Sequence, residues 1–205
     1  VYGCQATITE SVVVGPAAIE VNAMAMAEVC FEGNDGEVSW APVGGEGAYT
    51  YVFNGEAITA TSASDLAPGD YDVVVTDGNN CSSTATVTVE PGVAIVASTS
   101  VIDAGCAGEN DGEVTVTAEG GSGAFQYSDD GVNFADGNMF DDLNAGSYTF
   151  FVQDEFGCSG SVTANVSEPA AIEISGIVSE GAATGEGSID INITGGLPPY
   201  DYEWI

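Results

Sequence analysis

Apolar and polar residues alternate with a period of two through most of the chain, in short runs broken by glycine, asparagine and proline. Val38 and Trp40 stand two apart across Ser39, Tyr71, Val73 and Val75 follow at the same interval, and Ala85, Val87 and Val89 alternate with threonines. Side chains two apart share a face of a strand, so each run predicts a half-buried β-strand. The breaks read as turns: Gly33-Asn34-Asp35-Gly36, Gly44-Gly45, Asp77-Gly78-Asn79-Asn80, and Asn54-Gly55, a hairpin signal because both positions tolerate positive φ. Val, Ile, Thr and Tyr dominate over Leu, which suits a pleated sheet.

The same pattern is written more than once. Leu66-x-x-Gly69-x-Tyr71-x-Val73-x-Val75 returns as Leu143-x-x-Gly146-x-Tyr148-x-Phe150-x-Val152, 77 residues later. Gly44-Gly45 with Tyr49-x-Tyr51 returns as Gly120-Gly121 with Phe125-x-Tyr127, and again as Gly195-Gly196 with Tyr200-x-Tyr202. A long period of strand patterns predicts a tandem array of small domains. The expected divisions are the end of a preceding repeat at 1–16, complete repeats at 17–91 and 92–169, and the first part of another at 170–205. About seven strands per repeat predict an all-β fold of immunoglobulin-like β-sandwiches with a period of 76–77 residues. Tyr71, opening a strand after Pro68-Gly69, has the setting of the tyrosine corner of that fold. Junctions at Pro16, Pro91 and Pro169 leave almost no linker, which favours a rod over loose beads. The ragged ends suggest a slice of a longer polymer.

Charge narrows the functions available. The 205 residues hold 32 Asp plus Glu and no Lys, Arg or His, a formal charge of −32. Nucleic acid, anionic lipid and polyanionic glycans are repelled by such a surface. Without His or Lys there is no triad base and no Schiff-base amine, and without any cation there is no clamp for phosphoryl transfer. A carboxylate pair for glycoside cleavage is the remaining enzymatic option, but these acids sit beside Gly and Asn in turns, where solvated charge belongs. No run approaches the roughly 20 apolar residues of a membrane span.

Two clusters suggest cation binding. Asn34, Asp35 and Glu37, and their copies Asn110, Asp111 and Glu113, gather oxygen ligands of the kind calcium takes. The plainer reading is that Asn-Asp-Gly forms a turn, with diffuse binding of divalent cations by 32 carboxylates. Tyr49, Tyr51, Phe125, Phe134 and Phe140 are candidate glycan-stacking rings, although strand parity sends both rings of each Tyr-x-Tyr pair to the core.

The ordered set Cys-x-Gly-x-x-Asp-Gly, Gly-Gly-x-x-x-Tyr-x-Tyr, Leu-x-x-Gly-x-Tyr-x-Val-x-Val-x-Asp, Gly-Cys and Pro resembles the SprB repeat, over essentially all of 17–205. Such repeats occur in giant surface adhesins of gliding bacteria exported by the type IX secretion system. The resemblance implies an extracellular, filamentous adhesin serving gliding motility and attachment. Its partners would be surface polysaccharide or the motility machinery, reached through other parts of the polymer. It supplies no catalytic residues. Two departures stand out: Ala182 lies near the place of Cys30 and Cys106, and Asp129 falls where Phe53 and Trp204 stand.

Cys4, Cys81 and Cys158 recur every 77 residues, and Cys30 and Cys106 are 76 apart. In an exported small domain this reads as one disulfide within each repeat, Cys30 with Cys81 and Cys106 with Cys158. In a strict immunoglobulin topology the early and late cysteines lie at opposite poles, and the alternative is Cys30 with Cys158. Metal ligation is disfavoured, since no C-x-x-C and no His accompany them. The first functional reading is an acidic stalk. Its rivals are repeats that themselves grip glycan or calcium, and a stalk presenting a distal enzyme. Loop turnover between Ile58–Ala63 and Phe134–Phe140 favours the stalk. Lacking any Lys or Arg, the unfolded, reduced chain should remain uncut by trypsin; fragments on a denaturing gel would contradict this.

Overall fold

The computed structural model describes residues 15, 17–181 and 185–205. Cys4, Ala182 and, apart from Gly15, the expected tail at 1–16 lie outside the described residues. The chain divides into two compact units between Gly92 and Val93.

In the first unit one sheet has the order β1 (Glu20–Met26), β2 (Gly36–Val43), β5 (Ser62–Leu66). The other has the order β4 (Glu56–Ile58), β3 (Thr50–Phe53), β6 (Gly69–Thr76), β7 (Ser82–Val89). All pairings are antiparallel. Three strands facing four in this order is the immunoglobulin-like sandwich. Asn54 and Gly55, at φ 48° and 88°, make the two-residue turn between β3 and β4, with Phe53 opposite Glu56. Gly44 at φ 82° brings the backbone so near Ala18 that a Cβ would stand 2.2 Å from its carbonyl oxygen. Only glycine fits there.

The second unit repeats the plan with β8 (Val96–Ile102), β9 (Gly112–Glu119), β10 (Gln126–Ser128), β11 (Met139–Leu143), β12 (Gly146–Gln153) and β13 (Ser159–Val166). Its sheets run β8-β9-β11 and β10-β12-β13. The expected repetition of every strand fails at one place, because no strand equivalent to β4 is present among the described residues. A turn at Asp129–Asn133 replaces the Asn-Gly hairpin, and a single bridge from Tyr127 to Ala135 remains of the pairing. Beyond it, β14 (Glu173–Ser179) and β15 (Ser188–Thr194) form an antiparallel hairpin in register with β1–β2 and β8–β9.

Inward positions build one core per repeat. In the first, Val38, Val73, Val75 and Val89 are fully buried or nearly so, with Trp40 beside them. In the second, Val114, Val116, Phe150 and Val152 take those places. Trp40 stacks on Phe53 at 5.5 Å, and Phe53 on Tyr71 at 5.4 Å. The second core holds Val116 and exposed Asp129 where the first has Trp40 and Phe53, and it recovers volume through Phe150 and Phe140 in place of Val73 and Ala63, whose rings lie 4.5 Å apart. The two phenylalanine rings refill part of the space that Trp40 and Phe53 occupy in the first repeat. The Asp129 departure is thus accommodated inside its own repeat.

The tyrosine corners close as expected. Tyr71 Oη donates to the Ala67 carbonyl at 2.8 Å, and Tyr148 Oη to that of Asn144 at 2.9 Å. Tyr71→Phe and Tyr148→Phe should each lower unfolding free energy by about 0.5–1.5 kcal/mol, the value of one hydrogen bond. Urea unfolding measures this; midpoints unchanged in both variants would show that the corners add nothing.

Candidate functional site

Each repeat has two poles, and the chemistry-bearing residues divide between them. At one pole β1 ends, β2 begins and β7 ends. There Glu28 N donates to the Glu90 carbonyl at 3.0 Å, and a Cβ on Gly36 would meet Val89. Cys30 sits at this pole, its carbonyl accepting from Gly33 N at 2.9 Å. At the other pole Gly45 N donates to Ala17 O, and the turn between β6 and β7 packs on Glu46 and Gly47. Cys81 belongs to that turn.

The residue that organises this second pole is Asp77, which is buried. Its Oδ2 accepts from Glu46 N at 3.0 Å, and its Oδ1 from Asn79 N and Cys81 N at 2.9 Å each. Asp154 does the same in the second unit, accepting from Ser122 N at 2.9 Å and from Phe156 N and Cys158 N at 3.0 Å. One carboxylate therefore ties the late-cysteine turn to the Gly-Gly turn. The sequence reading treated Asp77 as a turn residue only. Its signal was the aspartate placed two residues after Val75 and again after Val152.

The pairing of Cys30 with Cys81 and of Cys106 with Cys158 is corrected. Cys81 and Cys106 are free, exposed thiols, whereas Cys30 and Cys158 are each disulfide-bonded. The reason is distance. The eight residues of β7 separate the poles of the first repeat, about 26 Å at ~3.3 Å per residue. A disulfide requires Cα atoms roughly 4.4–6.8 Å apart. Eight-residue β13 separates Cys106 from Cys158 in the same way.

The calcium candidates are not gathered into a cage. Asp35 Oδ1 accepts from Val29 N at 2.9 Å and Asp111 Oδ1 from Gly105 N at 3.0 Å, each bracing its own turn. Asn34 N donates to buried Glu28 at 2.8 Å. Glu37 and Glu113 stand on β2 and β9, paired opposite Met26 and Ile102. Among the described residues no group of three or more His, Cys, Asp or Glu converges as a metal site. The side chains of Asn34, Asp35 and Asp111 are each hydrogen-bonded to backbone. Tyr49, Tyr51, Phe125 and Phe140 pack against the two cores, and Phe134 is partly buried.

Asp130, half of the paired carboxylates Asp129-Asp130, has four hydrogen-bond donors around it. Asp130 accepts from Asn133 N and Val132 N at 2.8 Å, from Asn133 Nδ2 at 2.7 Å and from Ser128 Oγ at 2.8 Å. These donors, the Asn133 N–H foremost, hold its carboxyl well below the usual carboxylate range. The turn that replaces β4 is locked by this one side chain.

Residues 98–132 and 182–205 match the SprB repeat. No curated protein matches the sequence. Among solved structures, the three N-terminal domains of the bacteriophage RB49 highly immunogenic outer capsid protein (Hoc) align with 86% of this chain and 69% of theirs, at 14% identity and a TM-score of 0.41. The C-terminal 282-residue fragment of intimin, solved in complex with the intimin-binding domain of the translocated intimin receptor, aligns with 78% of this chain and 67% of its own, at 12% identity and a TM-score of 0.33. The strand order of each unit, rather than these distant likenesses, defines the fold.

Asp77 yields a pH prediction. The Glu46 N–H lowers its pKa most, burial opposes this, and the Cys81 and Asn79 N–H groups lower it further. A pKa depressed on folding contributes stability above the unfolded value of about 3.9, and that stability is lost as pH falls through the folded value. Asp77→Asn should therefore be less stable than the parent at pH 7, with the gap narrowing below about pH 4. Comparing the two proteins at each pH removes the general relief of self-repulsion on acidification. A gap that stays constant from pH 7 to pH 2 would contradict the bracket.

Proposed function

We propose that this chain, which carries SprB repeats, is a spacer region of an extracellular cell-surface adhesin. Its repeats would hold the adhesive parts of a long polymer away from the cell, in the service of attachment and gliding motility. Export by the type IX route fits this reading. The observation that carries it is where the repeats agree and where they differ. Tyr71 and Tyr148, Asp77 and Asp154, and Gly45 and Gly121 repeat in core and turn. The exposed segments between β3 and β5 and between β10 and β11 share neither length of strand nor sequence. A binding module keeps its contact residues, whereas a spacer keeps only what folds it.

Composition supports the same reading. A charge of −32 with no cation gives a hydrated, self-repelling surface, useful for projecting a polymer and poorly suited to gripping acidic polysaccharide. The catalytic vocabulary of His, Lys and Arg is absent from the sequence, which supports a non-enzymatic role. Among the described residues no helix is long and apolar enough to cross a membrane. Surface polysaccharide or the motility machinery would be engaged through other parts of the polymer.

The test is an exchange. Replacing this segment in the full polymer with the same number of unrelated immunoglobulin-like repeats should leave attachment and gliding intact, while deleting it should reduce both by shortening reach. Loss of attachment on exchange at equal length would make the repeats themselves the binders and overturn the spacer reading.

A further inference from the structure

Asn54-Gly55 is the one Asn-Gly pair in the sequence, and Asp-Gly pairs begin at Asp35, Asp77, Asp111, Asp130 and Asp136. All share a chemical weakness. Glycine has no Cβ to crowd its own backbone nitrogen, which can therefore reach the side-chain carbonyl carbon of the residue before it. The aspartates are guarded. Each accepts a hydrogen bond: Asp35 from Val29 N, Asp77 from Glu46 N, Asp111 from Gly105 N, Asp130 from Val132 N and Asp136 from Gln126 Nε2. Carboxylates are ionised at neutral pH, and an ionised carboxylate is a poor electrophile with no good leaving group. Their donors hold Asp77 and Asp130 below the ordinary carboxylate range as well.

Asn54 is not guarded. A carboxamide is neutral and carries a nitrogen that can leave as ammonia. Asn54 and Gly55 are both exposed, and a Cβ on Gly55 would meet nothing within 4 Å. Among the described residues nothing hydrogen-bonds the Asn54 side chain. The turn itself is lightly held. β4 has three residues, pairs with β3 alone and stands at the end of its sheet, and such short edges open with little free energy. Counting onward from Tyr51 and from Tyr127, Asp130-Gly131 takes the same place in the second repeat, with Gly131 also at positive φ, 72°. There the residue is already an acid, bonded by Ser128, Val132 and Asn133, and no strand equivalent to β4 follows it among the described residues.

We propose that Asn54 is a self-modifying site, at which an amide becomes an acid without an enzyme and the β3–β4 hairpin is released. When the turn opens, hydroxide takes the Gly55 N–H proton and the nitrogen attacks Asn54 Cγ. The bond from Gly55 N to Cγ forms, the Cγ–Nδ2 bond breaks, and ammonia leaves with a proton taken from water. The product is a cyclic succinimide. Water then adds to either of its carbonyls. Opening at Cγ restores the chain as aspartate. Opening at the backbone carbonyl leaves isoaspartate, whose main chain runs through Cβ and Cγ. Nothing is oxidised or reduced. The isoaspartyl chain is longer by a methylene, which a two-residue turn at φ 48° and 88° does not accommodate, so β4 loses its register with β3. A carboxylate is also added to a sequence with no cationic side chain to meet it. The first repeat thereby approaches the sheet without β4 that the second repeat has from the start. None of this depends on the spacer reading.

The folded chain is held in mildly alkaline buffer at physiological temperature, then unfolded and digested with a glutamate-specific protease. Cleavage after Glu46 and Glu56 isolates Gly47–Glu56, in which Asn54 is the sole asparagine. With time this peptide should give way to aspartyl and isoaspartyl forms, separable by chromatography, each with the mass gain of an amide turned acid. Conversion should quicken as pH rises, since hydroxide takes part. Asn54 still intact in the folded chain after the unfolded chain has converted would overturn the site, and so would isoaspartate arising at an Asp-Gly pair as fast as at Asn54. The hairpin is read separately, by brief exposure of the aged, folded chain to the same protease. Isoaspartyl chains should be cut after Glu56 several-fold faster than the parent. Asn54→Asp, which adds the charge without lengthening the backbone, should be cut at the parent's rate. Equal rates in all three would overturn the release of β4, and Asn54→Asp cut as fast as the isoaspartyl chain would overturn backbone lengthening as its cause.

Discussion

A carboxylate withdrawn from water in these repeats has to be met by a neutral donor, because no side chain of the sequence is an ammonium, a guanidinium or an imidazole. Buried Glu28, Asp77 and Asp154 all find backbone N–H groups. On the sheet surface, Asp72 and Asp70 accept from the hydroxyls of Thr86 and Thr88 on the neighbouring strand, at 2.6 Å each. Hydrogen bonds to an ionised acceptor are about twice as strong as neutral ones. A backbone donor differs from a lysine in that it cannot swing away. The carboxylate and the loop that surrounds it therefore fix one another, and each turn is specified by a single acid.

That constraint explains why the two repeats can differ so freely elsewhere. With the turns held by Asp77 or Asp154 and the corners by Tyr71 or Tyr148, the core between them needs only to be filled. The first repeat fills it with the Trp40, Phe53 and Tyr71 stack, the second with Phe140, Phe150 and Tyr148. Trp40 Nε1 is buried without a partner, an orphan donor that Val116 avoids.

The parts of the fold that were legible in the sequence are those fixed by local stereochemistry. Asn54-Gly55 can be read because both residues must take positive φ, Gly44 because a side chain would strike Ala18, and Tyr71 because its hydroxyl reaches only four residues back. The inward residues followed from a period of two. What escaped depends on distance through space. The bracket made by Asp77 joins residues 31 apart in the chain, and nothing local to Asp77 announces Glu46. The cysteine pairs failed for the same reason: regular spacing says which cysteines are equivalent, whereas the length of β7 decides which can meet. The lost strand in the second unit lay behind Asp129, which the sequence marked as a departure without showing that the hairpin would go with it.

The strands β5 and β11 lie at the edge of their sheets, and each is broken by a register shift at an aspartate with positive φ, Asp65 at 58° and Asp142 at 54°. A bulge twists an edge strand out of the plane in which another chain could continue the ladder, and a charge on it resists desolvation. Proteins commonly guard such edges with lysine, which this chain lacks. Here the same two aspartates that bend the strand also repel an identical neighbour. At these two edges, one in each repeat, an identical strand meets a bulge and a like charge together, which opposes its zipping on as a cross-β ladder.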